Sequence, residues 1–289
     1  MGLLPVRELQ RARGLARMGL AFRRRPFEEV RDRMEQDRSG YHAVSLSGGK
    51  DSTAMLLMMV ERGMRVDAAV YADTGMDLPA MEAHLARVEE LSGVPVVRVR
   101  PPLSFEHYLL DHEITRGKRA GGRGYGWPRP RARWCTARLK VEPIARHLRA
   151  ASAGRPVTQY LGIAADEAPR RRRERRGVRY PLAEWGVTEA DALDYCRRRG
   201  LDWEGEYRHF NRLSCWCCPL QSLPDLRALR RRHPDLWSLL GRMDERAWNT
   251  FRIGCSVADL ERRFASEDAQ EGPAGGARTG IDARDKEMP

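Results

Sequence analysis

The sequence predicts an α/β protein: a Rossmann-like parallel sheet with helices on both faces, an N-terminal helical extension and a helical C-terminal part. Three observations carry this. Short apolar runs alternate with helical patterns from residue 40 to 163, as in repeated βαβ units. The first run, His42–Leu46, enters a glycine turn that opens straight into a helix. Beyond Pro181 the periodicity is helical only.

Taken in order, residues 5–20 and 26–37 read as two charged, amphipathic helices, with Pro26 at a first-turn position. His42–Leu46 reads as a buried strand, and Ser52–Arg62 as a helix whose apolar side is Met55, Leu56, Met59 and Val60. Asp67–Tyr71 is a second strand, Pro79–Leu91 a helix, Pro95–Val99 a third strand, and 104–113 helical. Residues 114–133 are rich in Gly, Pro and Arg and predict a mobile basic lid over the nucleotide. A helix over Thr136–Ala151 and a strand over Val157–Ile163 follow, then a basic loop, Ala164–Arg179. Helices are expected over 188–199, 223–232, 234–250 and 256–264, and disorder over the last 25 or so residues. The expected organisation is therefore an extension (1–39), a nucleotide-binding α/β domain (40–185), a helical region with a cysteine cluster (186–264) and a tail (265–289).

Composition narrows the function classes. Seven Trp among 289 residues and 42% apolar content argue against wholesale disorder. The longest apolar run, Ala54–Val60, is far short of the roughly 20 residues a spanning helix needs, so no membrane partner is expected. Arg7, Arg11, Arg13 and Arg17 interrupt any signal-peptide core, which predicts a cytoplasmic, reducing location. The net charge of +12 favours an anionic partner such as nucleotide, nucleic acid or pyrophosphate, against the plainer reading of a solvated basic surface. In a reducing compartment six cysteines do not predict disulfides. Three of them, Cys215, Cys217 and Cys218, stand within four residues, which points to metal or sulfur chemistry. Cys196 and Cys255 are expected to pack, and no histidine pattern suggests a metal site.

The strongest chemical signal is Ser45-Leu46-Ser47-Gly48-Gly49-Lys50-Asp51-Ser52-Thr53, between the first strand and helix. Glycines there let backbone N–H groups turn toward a phosphate, and the helix N-terminus adds partial positive charge. Ser47 and Ser52 add hydroxyls and Lys50 an ammonium. The spacing is not that of a Walker A loop. The second segment, Asp73-Thr74-Gly75-Met76-Asp77-Leu78-Pro79, leaves the second strand at the edge where open α/β sheets bind ligands. The third is Arg133-Trp134-Cys135-Thr136-Ala137-Arg138-Leu139-Lys140-Val141-Glu142-Pro143, where Arg133 and Arg138 read either as phosphate clamps or as surface charge. The fourth is Gly162-Ile163-Ala164-Ala165-Asp166-Glu167-Ala168-Pro169-Arg170, with Arg170 placed to meet phosphate. The fifth is Cys215-Trp216-Cys217-Cys218-Pro219, a C-x-x-C ending in Cys–Pro, as recurs at iron–sulfur ligands. Cys135, Cys215 and Cys218 make a three-thiolate set. Zinc completed by Cys217, or a redox or persulfide cysteine without metal, are the alternatives.

Together these segments resemble the PAPS reductase-like family of the adenine nucleotide alpha hydrolase, or PP-loop ATP pyrophosphatase, superfamily, over roughly residues 40–220. In motif form the chain is most similar to the phage-type and DNA-phosphorothioation sulfur-transfer branches. The resemblance implies ATP and Mg²⁺ bound by Ser45, Ser47, Gly48, Gly49, Lys50, Asp51, Ser52, Asp73, Thr74, Gly75, Gly162 and Arg170. It implies Lys50, Asp51, Cys135 and Lys140 as catalytic, and a [4Fe–4S] cluster on Cys135, Cys215 and Cys218. The chain departs from the family at Thr136, where cluster-bearing sulfonucleotide reductases have a second Cys, and at Ala164, where an Arg is common. It also lacks the C-terminal E-C-G-[IL]-H segment of those reductases. The intact Gly48-Gly49-Lys50-Asp51-Ser52 argues for ATP as substrate. The expected function is an ATP-dependent sulfur transferase forming AMP and pyrophosphate. A PAPS or APS reductase is the first alternative, and a non-catalytic nucleic-acid-binding protein with a nucleotide site the second. The acceptor, whether tRNA, DNA or a small metabolite, and the sulfur donor are not readable from the sequence.

Overall fold

The computed structural model describes residues 39–167, 176–213 and 215–271. The chain divides into two units, Met1–Gly40 and Tyr41–Pro289. The two predicted N-terminal helices and Arg170 lie outside the described residues, as does the tail beyond Glu271.

A five-stranded, all-parallel sheet forms the centre, in spatial order β3-β2-β1-β4-β5. The strands are β1 (Tyr41–Leu46), β2 (Ala68–Ala72), β3 (Val96–Val99), β4 (Val157–Leu161) and β5 (Val178–Arg179). The chain runs outward from β1 to β3 and then crosses back to β4 on the other side of β1. That reversal opens a crevice at the carboxyl ends of β1 and β4, the usual ligand position in such sheets. Short apolar runs in the sequence mark β1 to β4 but not β5, a two-residue strand too short to show one.

Alternation along β1 separates two cores. Val44 and Leu46 face α1 (Lys50–Glu61) and α2 (Ala80–Ser92), whereas Tyr41 and Ala43 join Val70 and Leu148 on the opposite face, beneath α3 (Glu142–Ser152). Helices therefore cover both faces. Helix α1 is buried almost all round, including Ala54, Leu57 and Met58 beyond the predicted stripe. It lies between the sheet and α4 (Glu189–Arg197), so both of its sides meet protein. Burying each such Met or Leu contributes roughly 1.5–3 kcal/mol.

The C-terminal helices are α4, α5 (Leu223–Arg232), α6 (Pro234–Arg246) and α7 (Val257–Glu271). Helix α4 starts at a capping box, in which Thr188 accepts from the Asp191 N–H and Asp191 accepts from the Thr188 N–H at 3.0 Å. Ser222 caps α5 in the same sense. These helices extend the core of the α/β part: Leu226, Leu240 and Phe264 belong to the same apolar cluster as Val44 and Met55. Helix α7 continues to Glu271, so the stretch 265–271, for which composition predicts disorder, is helical.

The expected lid is a second correction. Trp127 is 1% exposed, its indole donates to Asp244 at 2.9 Å, and its backbone N–H donates to Asn249 at 2.7 Å. Arg129 donates to the Thr250 carbonyl at 2.9 Å. Residues 124–129 are thus fastened to the loop after α6. The Gly/Pro signal is genuine, but an aromatic anchor can dominate it, and composition does not show where a Trp is buried.

Candidate functional site

The loop after β1 is shaped by its own side chains. Ser52 Oγ lies 3.0 Å from Ser47 Oγ, accepts from the Ser47 N–H at 3.1 Å and donates to the Gly49 carbonyl at 3.1 Å. Gly48 has φ +76°, a conformation L side chains rarely adopt. A Cβ on Gly162, leaving β4, would stand 2.7 Å from the backbone N and Cα of Ser52. Only glycine lets the end of β4 approach the start of α1 so closely.

Two residues without a sequence signal complete this loop from the segment after α4. The Trp203 indole donates to the Gly48 carbonyl at 2.7 Å, and the Tyr207 hydroxyl accepts from the Lys50 N–H at 2.9 Å. A third, Glu189 at the start of α4, accepts from Lys50 Nζ at 2.7 Å, while Asp51 accepts at 3.2 Å. Burial works against the Lys50 charge, but the Glu189 and Asp51 carboxylates outweigh it and raise the ammonium's pKa. Asp51 is pushed up to about 6 by burial, against the opposing pull of Lys50. Its Oδ1 is buried without a hydrogen-bond partner. Such an oxygen is poised for a cation or a proton. Nothing along the chain marks Glu189 or Tyr207, because both meet the loop across a sequence separation of well over a hundred residues.

A cavity of about 260 Å³ opens over this loop, lined among others by Ser45, Ser47, Ser52, Asp77, Lys140 and Gly162. Asp73 and Thr74 shape the neighbouring turn: Asp73 accepts from the Gly75 N–H at 3.1 Å and from Arg100 at 2.8 Å, and Thr74 accepts from the Met76 N–H at 3.2 Å. Asp77 accepts from the Tyr71 hydroxyl at 2.6 Å. Loop hydroxyls, Lys140 and the Asp77 carboxylate around one opening form a place where a polyphosphate and a divalent cation can sit together.

The cysteines gather beside it. Cys135, Cys215, Cys217 and Cys218 line a second cavity, of about 200 Å³. Cys135 stands where a short helical turn, Trp134–Thr136, begins the helical run into α3. The Cys215–Cys218 turn is tied to the loop after β2: the Trp216 N–H donates to the Met76 carbonyl at 2.8 Å, and Thr74 Oγ1 lies 3.7 Å from Cys215 Sγ. Burial raises the Cys135, Cys215 and Cys217 thiols, Cys217 most strongly. Lys140 lines both cavities. Cys215 first and then Asp77 raise its ammonium's pKa, against the opposing effect of burial.

Four thiols around one space are a donor set that suits a sulfur-ligated metal once deprotonated. As they stand, among the described residues, no three Cys, His, Asp or Glu side chains converge as metal ligands. Cys196 is packed in the core, donating to the Lys50 carbonyl at 3.5 Å. Arg138 is paired with Glu142 at 2.9 Å on the surface. No described helix is long and apolar enough to cross a membrane.

A model of the phosphoadenosine phosphosulfate reductase domain matches residues 41–221. An uncharacterized protein of Methanocaldococcus jannaschii is 24% identical over 206 residues, 67% of this chain and 39% of that protein. The chain thus spans well under half of that relative's length. The crystal structure of phosphoadenylyl-sulfate (PAPS) reductase from Candida auris, a phosphate complex, is 15% identical with a TM-score of 0.41, covering 74% of this chain and 97% of that one.

Proposed function

The chain belongs to the phosphoadenosine phosphosulfate reductase domain family, and from that premise we propose that it is an ATP-dependent sulfur transferase that activates its acceptor by adenylation. The observation that carries this is Lys140: it lines both the cavity over the Ser47–Ser52 loop and the thiol cavity. A nucleotide in the first and a sulfur nucleophile in the second would meet across one side chain.

In this reading the loop N–H groups and Lys50 would hold the phosphates of ATP, and Asp51, whose Oδ1 has no hydrogen-bond partner, would hold Mg²⁺. An acceptor oxygen attacks the α-phosphorus. The new O–P bond forms as the Pα–O–Pβ bond breaks, and pyrophosphate leaves with the electron pair. Lys50 and the loop dipoles stabilise the developing charge. A sulfur nucleophile then bonds to the activated carbon while the C–O bond breaks and AMP departs. Lys140 holds positive charge beside both events. Cys135, Cys215 and Cys218 would hold an iron–sulfur cluster; with Cys217 as a fourth ligand the site would be closed and would suit zinc instead. Such a cluster, when bound, would supply a place to hold the sulfur that is transferred.

Calorimetry tests the nucleotide. ATP with Mg²⁺ is expected to bind and to yield pyrophosphate when acceptor is present. Binding of PAPS or APS without ATP binding would replace this reading by the sulfonucleotide reductase.

A further inference from the structure

The thiol cavity is not closed on its outer side. It shares Pro128, Pro219 and Leu220 with a third cavity, of about 450 Å³, that lies between the Trp127–Pro130 segment, the turn after the cysteines and the loop before α7. The two make one trough leading from the surface to the cysteines.

The lining of that trough is of two kinds. Its apolar residues are partly bare: Leu220 is 37% exposed and Ile253 77%. Its basic residues are Arg133 and Arg212 at the thiol end and Arg129, Arg252 and Arg263 at the outer end. Arg129 spends its hydrogen bonds on the neutral carbonyls of Thr250 and Phe251, so its charge is not cancelled. Arg133 and Arg212 form no ion pair among the described residues. Arg252 has a buried Nη1 with no hydrogen-bond partner. Arg263 is paired with Glu267 at 2.8 Å. Among the described residues Asp259 is the one acid lining either cavity, and it is occupied in capping α7 through the Ser256 N–H at 2.8 Å and in pairing with Arg262.

We propose that this trough binds a single-stranded nucleic acid and presents one nucleotide to the cysteine cavity. A ligand that matches it needs several negative charges spaced along a chain and flat apolar groups between them. Phosphates against arginines and bases against Pro128, Leu220 and Ile253 meet both needs. A duplex does not, because its bases are stacked inward and hidden from those apolar residues. The inference rests on the sulfur-transfer reading only for what the bound strand receives; the binding stands by itself.

The experiment is fluorescence anisotropy with the full chain and labelled single strands of about 20 nucleotides, DNA and RNA, over a salt series. Arg212→Ala/Arg252→Ala is expected to weaken binding at least tenfold and to flatten the salt slope by about 0.7 for each phosphate left without its arginine. The doubly Lys-substituted chain should recover most of the affinity, which separates lost charge from lost folding. Arg149→Ala, exposed on α3 and lining neither cavity, should bind as the unsubstituted chain does. An abasic strand of equal length should bind more weakly than a base-bearing one. Equal weakening by Arg149→Ala, equal binding of the abasic strand, or tighter binding of duplex would each overturn the proposal. Pyrophosphate release from ATP is measured separately. Its absence with strand binding intact would remove the sulfur-transfer reading and leave the trough.

Discussion

In the loop after β1, Ser47 and Ser52 lie 3.0 Å apart and fix each other, and Trp203 and Tyr207 clamp the backbone from outside. In the cysteine cavity, Cys135 comes from one helical turn and Cys215, Cys217 and Cys218 from another segment, with their thiols free of disulfides. The first region is made largely by neighbours along the chain and holds its shape by its own hydrogen bonds. The second is made by two remote segments and has its donors together without their converging on a point. A local motif can be rigid before its ligand arrives, whereas a site assembled from distant segments can leave its last adjustment to what it binds.

This difference can be broken from the cysteine side most drastically. Under anaerobic conditions Cys135→Ser, Cys215→Ser or Cys218→Ser should each abolish bound iron, the brown chromophore and activity together, while Cys217→Ser keeps the chromophore. Iron and acid-labile sulfide analysis decides it, and stoichiometric zinc without iron would sink the cluster. On the loop side, Lys50→Ala should lower pyrophosphate release about 10²–10³-fold with the fold intact by circular dichroism. An unchanged rate would remove the loop from the chemistry.

Gly162→Ala is smaller and tests rigidity rather than chemistry. The added methyl meets the Ser52 backbone at 2.7 Å, so the strand end or the helix start must shift. A loss of about 1–3 kcal/mol in unfolding free energy is expected from overpacking of this kind, with weakened nucleotide binding. The corresponding change at Gly75, where a Cβ would find nothing within 4 Å, tests only the cost of its φ of +71°.

An effect of similar size, seen only as pH is varied, is expected at Asp51. Asp51 titrates at about 6 in the folded protein, against an ordinary value of 3.8. A carboxyl raised by burial favours folding while protonated. Its contribution is complete below about pH 3.8 and is lost as pH rises to about 6. The stability of the unsubstituted chain, read from thermal unfolding, should therefore fall relative to Asp51→Asn across that window, by at most about 1.4 kcal/mol per pH unit. Mg²⁺ with nucleotide should reverse the trend, because a cation on the free oxygen favours the ionised form. A pH-independent difference would mean that the carboxyl is not buried as described.

Much of this protein is legible in its sequence because the relevant physics is local. Short apolar runs and helical patterns mark β1 to β4 and most helices, and a glycine turn between a strand and a helix locates the loop after β1. The Cys215–Cys218 spacing announces sulfur chemistry. The tertiary structure decided what distance along the chain conceals. It brought Glu189, Trp203 and Tyr207 to the loop, set Lys140 between two cavities and pinned Trp127 where composition suggested a lid. Residues that meet only after the chain has crossed the sheet leave no mark at fixed spacing. Their pairing is chosen by packing and charge in the folded core, not by any pattern along the sequence.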